Sequence, residues 1–319
     1  MSRRLLVVSA VSMFSLLFTA CPKDKGGGET PGPAASKPRV AVSIFPLWDI
    51  AKRVAGDRFD VVLVLPPGKS EHGYEPTPKE VARVVDAKLV VLAGYEMDAW
   101  AEKLVKTASS SVQSLALGPQ CDPQKFTKEH VGEAAAAEVG KDDDDKGEEA
   151  GAMDPHFWLD PVRMETATDV LVKKFSELDA AGAEGFKTRG DEVKKSLAAL
   201  DGEIATAAKG WTKRKVVTFH ASMGYFLTRY QLELAAVIEP FPGREPTAKY
   251  MAEVLKAVKT TGAAALFSEP QLDRAPAKTV ADQAALPLFE LDPVGGTAGV
   301  ETYEKLLRAN TATLGKALQ

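Results

Sequence analysis

Three of the four histidines are placed just past predicted β-strands, where imidazoles can meet a ligand. His72 follows Val61-Val62-Leu63-Val64-Leu65 across a short Pro/Gly loop, and His220 directly follows Lys215-Val216-Val217-Thr218-Phe219. His156 sits in Asp154-Pro155-His156-Phe157-Trp158-Leu159-Asp160-Pro161, and a carboxylate, Asp292, ends the run Leu288-Phe289-Glu290-Leu291. In open α/β sheets, ligands bind in the crevice beyond the carboxyl ends of the strands. Imidazoles and a carboxylate gathered there point to a transition-metal site. Three imidazoles with one carboxylate suit zinc in a closed tetrahedral site, whereas two of each would favour manganese. A lone histidine at a strand end also serves as an ordinary hydrogen-bonding residue, and spacing alone leaves both readings open.

Glu71 and Glu269 flank this set. Glu71 precedes His72 and is read as an extra oxygen donor, an outer hydrogen-bond partner or a rim residue. Glu269 is read as an outer partner, because ligating histidines commonly give their second N–H to a carboxylate or carbonyl. The rival chemistry is a zinc hydrolase, with three histidines, an open position for water and Glu269 or Glu71 as general base. The chain has no H-E-x-x-H, G-x-G-x-x-G, P-loop or G-x-S-x-G motif to support an enzyme. Trp48, Trp100, Trp158 and Tyr95 are read as packing residues.

Positioning these residues falls to alternating strands and helices. Strands are predicted at Val40–Ile44, Val61–Leu65, Lys88–Ala93 and Val112–Leu117, and again at Lys215–Phe219, Leu234–Ile238, Ala263–Phe267 and Leu288–Leu291. Helices fall between them, the clearest opening at Thr77-Pro78-Lys79-Glu80 with Thr77 as N-cap. The fold class is α/β, each half carrying about four strands in a mostly parallel sheet flanked by helices. Between the halves Met164–Leu178 and Phe186–Lys209 read as helices. In the second, Val193, Leu197, Leu200, Ile204 and Ala207 recur at spacings of three and four. At 1.5 Å per residue it would be about 36 Å long, enough to bridge two lobes.

The chain has 319 residues, 45% of them hydrophobic and 26% charged, with a formal charge of −4. That favours two domains and gives no sign of a nucleic-acid partner. The apolar run Leu5–Phe18 is too short to span a bilayer. With Arg3-Arg4 before it and Thr19-Ala20-Cys21 after it, residues 1–20 read as a signal peptide. The cysteine after Phe18-Thr19-Ala20 resembles a bacterial lipobox in which Phe18 replaces the usual leucine, implying cleavage before Cys21 and lipid attachment to its thiol. Residues 21–38, rich in Gly, Pro and Lys, read as a flexible tether. Cys121 is then left without a partner for a disulfide and is read as a buried, inert thiol. Residues 129–153, with Asp142–Asp145 and Glu148-Glu149, read as a solvated acidic loop.

The motifs match a known family. His72-Gly73-Tyr74-Glu75-Pro76-Thr77-Pro78 resembles the first histidine motif of the zinc/manganese ABC-transporter solute-binding lipoproteins, the ZnuA/TroA-like (cluster A-I) group. The Asp154–Pro161 block is similar to the second motif, and Phe219-His220-Ala221-Ser222-Met223-Gly224-Tyr225-Phe226 to the third. Gly243-Arg244-Glu245-Pro246-Thr247, Phe267-Ser268-Glu269-Pro270-Gln271 and Leu291-Asp292-Pro293-Val294-Gly295 resemble three further segments, in the family's order. The resemblance implies a metal held by His72, His156, His220 and Asp292. It implies an N-terminal lobe over 39–183, a linking helix over 184–212 and a C-terminal lobe over 213–319. It further implies no enzymatic activity but capture of Zn²⁺, with Mn²⁺ as the alternative cargo, by a monomer on the outer face of the membrane. The ion would then pass to an ABC permease with its ATPase. His220, in place of a glutamate at the third position, favours zinc. The acidic loop departs from the histidine-rich loop of many zinc-specific relatives, since it holds only His130. Binding is expected to weaken as pH falls through the ordinary histidine range near ~6.5. A surface adhesin is the remaining alternative, with no sequence feature of its own.

Overall fold

The computed structural model describes residues 37–107, 111–127, 151–240, 242 and 244–319, all within one compact unit. The signal peptide, Cys21, the tether up to residue 36 and residues 129–150 of the acidic loop lie outside the described residues.

Short runs rich in Val, Leu and Ala make two four-stranded sheets in which every pairing is parallel and the inner strands are largely buried. The first holds β1 (Arg39–Val42), β2 (Asp60–Leu63), β3 (Ala87–Leu92) and β4 (Gln113–Ala116) in the order β2-β1-β3-β4. The second holds β5 (Lys215–Thr218), β6 (Glu233–Val237), β7 (Ala265–Ser268) and β8 (Leu288–Glu290) in the order β6-β5-β7-β8. Each sheet reverses its strand order beside its first strand, so each has a switch point at its carboxyl edge.

The first sheet carries helices α1 (Phe45–Ala55), α2 (Pro78–Val85) and α3 (Ala99–Thr107). The second carries α6 (Gly224–Arg229), α7 (Ala248–Thr261), α8 (Ala275–Ala284) and α9 (Tyr303–Leu318). Between them run α4 (Pro161–Leu178) and the long α5 (Ala183–Lys209). Thr77 opens α2 with a capping box, its backbone N–H donating to Glu80 Oε2 at 3.0 Å. Asp160 caps α4 by accepting the Val162 N–H at 2.9 Å. No helix among the described residues is long and apolar enough to cross a membrane.

With 27 residues, α5 spans about 40 Å at 1.5 Å per residue. It begins three residues before the predicted start and buries Phe186, Val193, Leu197, Leu200 and Ile204 against α4, α1 and α9. The larger apolar cluster runs unbroken from Val40 and Val90 of the first sheet to Val216 and Phe267 of the second. The lobes therefore share one interior. Arg53 of α1 donates to Glu304 of α9 at 2.8 Å and to Ser196 of α5 at 2.9 Å. Trp158 donates its indole N–H to the Pro293 carbonyl at 2.8 Å, and the Tyr303 hydroxyl donates to the Trp158 carbonyl at 2.6 Å.

One close contact of this interface requires glycine. Gly296 has φ +83°, and a Cβ built there would lie 2.9 Å from the Phe45 ring. Gly296→Ala is therefore expected to lose about 1–3 kcal/mol, combining left-handed strain with overpacking. The denaturation midpoint measures this, and a wild-type midpoint would mean that the two lobes can part at Phe45.

Candidate metal centre

The carboxyl edges of the two sheets face a common point, and the loops leaving them bring four donors together. Glu71, His72, His156 and His220 each offer one ligand atom, all within 4.8 Å of one another. The three imidazole rings form a nearly equilateral triangle, with centroids 5.3, 5.2 and 5.3 Å apart.

Each side chain is set by local structure. Beyond β2 the backbone keeps pairing with the first sheet, Val64 N–H to Val42 at 2.9 Å and Leu65 N–H to Ser43 at 2.9 Å. Gly68, at φ +78°, then turns the chain toward the cluster. The Trp100 indole donates to the Glu71 carbonyl at 3.0 Å, and Ser70 Oγ accepts the His72 N–H at 3.3 Å. His156 does not follow a strand of either sheet, contrary to its predicted placement. It follows a short antiparallel pairing of Lys125 with Met153 and leads into a single 3-10 turn, Phe157–Leu159, before α4. His220 lies two residues beyond β5, where the Thr218 hydroxyl donates to its carbonyl at 2.8 Å.

Two carboxylates orient the rings. Asp154 Oδ1 accepts both the backbone N–H of His156 at 2.9 Å and its Nδ1 at 2.8 Å. Glu269 Oε1 stands 2.7 Å from His220 Nδ1 and accepts the His220 backbone N–H at 3.4 Å. With Nδ1 beside a carboxylate, Nε2 of each of these two rings faces the centre. His72 Nε2 lies 3.1 Å from His156 Nε2. In a tetrahedral site with bonds of about 2.0–2.1 Å, two nitrogens stand about 3.3–3.4 Å apart. The observed pair is close to that spacing. Glu71 Oε1 is 3.9 Å from His220 Nε2, so a small inward movement would complete the shell.

Glu71, His156 and His220 are buried and His72 is half-buried. Desolvation pushes the pKa of His72 well below 6.5, and the neighbouring His220 and His156 lower it further. Desolvation does the same to His156, assisted by His220. The two imidazoles are thus held neutral, the state a metal requires. Proton competition at these two rings moves below the ordinary range expected from the sequence.

Asp292 stands outside the four-residue group. Its Oδ1 accepts N–H groups from Val294 at 3.0 Å and Gly295 at 2.8 Å, and the Gln271 amide at 2.7 Å. Asn310 pairs with its backbone in both directions, at 2.9 and 2.7 Å. The residue brackets the Pro293–Gly296 turn that packs on Phe45. Cys121 is buried outside the group, and desolvation pushes its thiol up to about 12, which keeps it protonated. Trp48 donates to the Val61 carbonyl at 3.1 Å, and Tyr95 packs beside Gly118. Asp154 went unrecognised in the sequence, although its position two residues before His156 suits a short carboxylate–imidazole loop.

Residues 40–317 match the family described as zinc-uptake complex component A, periplasmic. The zinc-binding protein AdcA of Streptococcus pyogenes serotype M3 is 27% identical over 291 residues, covering 88% of this chain and 56% of AdcA. The chain thus spans little over half the length of that relative. The high-affinity zinc uptake system protein ZnuA of Bacillus subtilis is 26% identical over 271 residues, 84% of this chain and 82% of that protein. A crystal structure of ZnuA superposes with a TM-score of 0.75 at 22% identity, covering 89% of this chain and 100% of that one.

The lowered imidazole pKa values have a consequence for the metal-free protein. On unfolding, His72 and His156 return to about 6.5, so below that pH the unfolded chain binds protons that the folded chain refuses. Their stabilising contribution is complete above pH 6.5 and is lost as pH falls from there toward the lowered folded values. Thermal midpoints of metal-free protein are expected to drop between pH 7.5 and 5.5, and to drop less in a His72→Gln/His156→Gln double variant. Parallel pH profiles for the two proteins would contradict this.

Proposed function

The chain belongs to the zinc-uptake complex component A family, and from that premise we propose that it captures Zn²⁺ as cargo between its two lobes for a membrane importer. One observation carries the reading: three imidazoles and a carboxylate from three segments converge, with two of the rings held neutral by burial. The proposed ligands are His72, His156, His220 and Glu71. Glu71 takes the place expected for Asp292, whose Oδ1 is engaged in its own turn. His72 and His156 come from the N-terminal lobe (39–183), His220 from the C-terminal lobe (213–319), and the helix region 184–212 links them.

Three nitrogens and one oxygen suit a borderline ion such as zinc, whereas manganese prefers more oxygen. Mn²⁺ is the secondary cargo. The Nε2 atoms of His72 and His156 face each other at 3.1 Å. Asp154 and Glu269 stand beside the other nitrogens of His156 and His220, at 2.8 and 2.7 Å, and would keep both rings aimed at the ion. A fourth protein donor leaves no open position for a reacting water, which supports a carrier over an enzyme. The carrier acts as a monomer outside the cytoplasm, anchored through lipid on Cys21, and hands the ion to an ABC permease driven by its ATPase.

Calorimetric titration of metal-free protein with ZnCl₂ tests this. Wild type should bind one ion. His220→Ala and Glu71→Gln should each weaken binding by more than about 100-fold, since loss of an outer partner alone costs roughly 10–100-fold. Asp292→Asn keeps an acceptor for the turn and should bind close to wild type. Unchanged affinity in His220→Ala removes the site, and a large loss in Asp292→Asn with none in Glu71→Gln restores Asp292 as the fourth ligand.

A further inference from the structure

The His156 and His220 segments are joined by a single phenol oxygen. Tyr225 is buried in α6, five residues past His220. Its hydroxyl donates to the Asp154 carbonyl at 3.1 Å and accepts the Gln124 N–H at 2.9 Å. Those two residues are themselves paired, the Asp154 N–H donating to the Gln124 carbonyl at 2.9 Å. The pairing continues outward, with Phe126 N–H to Ala152 at 2.8 Å and Gly151 N–H to Phe126 at 2.7 Å. Inward, the Asp154 carboxylate holds His156 through its backbone and through Nδ1.

A second contact fastens the same segment to the second sheet. Phe126 is buried in a cluster with Val217 of β5 and Phe219, the residue before His220. Its ring lies 6.3 Å from the His156 ring. The Tyr225 ring is held in turn by the Arg163 guanidinium, 4.7 Å above its centroid.

We propose that Tyr225 is a positioning residue for metal capture, clasping the turn that carries His156 to the helix that follows His220. The proposal rests on the metal-capture reading above. Two ligands from different lobes hold one ion well only if their separation is fixed, because displacement of either stretches a coordinate bond. The clasp fixes that separation before the ion arrives. The sequence distance hides it: Tyr225 and Asp154 are 71 residues apart, and the tyrosine sits inside a histidine motif that would otherwise be credited to His220 alone.

Tyr225→Phe removes the hydroxyl and keeps the ring, so the packing under Arg163 survives. It leaves the Gln124 N–H and Asp154 carbonyl without their shared partner. Zinc dissociation from the full-length protein, followed with a competing chelator, is expected to quicken roughly tenfold, the effect of one buried hydrogen bond. Stoichiometry should stay at one ion. The d–d spectrum of the Co²⁺-loaded variant should shift, and the rise in thermal midpoint on adding zinc should shrink. A Phe126→Leu variant, which loosens the same segment from the β5 side, should also quicken dissociation, and it serves if Tyr225→Phe does not fold. A structural hydrogen bond alone would lower the metal-free and zinc-loaded midpoints equally and leave the dissociation rate and Co²⁺ spectrum at wild type; that result overturns the clasp. A wild-type protein that takes up neither zinc nor cobalt overturns both the capture reading and the clasp, whereas a wild type that binds beside an unaffected variant overturns the clasp alone.

Discussion

Burying imidazoles together is the constraint from which the structure follows. Desolvation around one point, with His220 beside them, holds the His72 and His156 rings neutral. Neutral rings still need their N–H groups satisfied away from the centre. Asp154 meets that need at His156 and Glu269 stands 2.7 Å from His220 Nδ1, each one residue beyond a paired segment. The surrounding elements serve to hold these carboxylate–imidazole pairs at a fixed mutual distance.

That distance is maintained by an interface with little slack. The loops beyond two separate sheets must bring their donor atoms within 4.8 Å of one another, and α5 packs on helices of both lobes at once. Arg53, Ser196 and Glu304 join α1, α5 and α9 in one polar knot. Arg189 of α5 donates to the Val54 carbonyl at 2.8 Å and the Ala55 carbonyl at 3.2 Å, covering the end of α1. Buried Asp160 takes Arg163 of α4 at 2.5 Å together with Arg229 of α6. A buried carboxylate is tolerable there because two guanidinium groups and the Val162 N–H share it.

Much of this was legible in the sequence because its signals are local. Runs such as Val40–Val42 and Leu89–Leu92 are too apolar for half-exposed strands, and the alternation with helices fixes a parallel sheet. The spacing of Val193, Leu197, Leu200 and Ile204 gives the buried face of α5 directly. His72 and His220 follow their strands by short loops, so the sheet itself places them. Choosing between Glu71 and Asp292 is a different kind of question. Both are carboxylates at a sheet edge, and only the direction of a turn separates them. Asp292 is followed by Pro-Val-Gly, and its side chain folds back onto the N–H groups of Val294 and Gly295, as an Asx turn does. That local chemistry was present in the sequence and is what favours Glu71 in the proposed ligand set. The pairing of Tyr225 with Asp154 has no local signal, because it exists only once the lobes have met.

Compliance in the site is unevenly distributed, and this bears on release of a captured ion. His156 and His220 are clamped by buried carboxylates, by Tyr225 and by the Phe126 cluster. His72 is half-buried, on a loop turned by Gly68 and Gly73, both at positive φ. The Trp100 indole anchors the Glu71 carbonyl immediately before it, so the backbone of the loop is held while the imidazole can swing. Parting the lobes would expose the shared core and break the α1–α5–α9 knot at once. Withdrawing one imidazole exposes little apolar surface and leaves the other two ligands in register. Under the capture reading, the lower-energy way to free the ion is to move the His72 arm rather than to part the lobes.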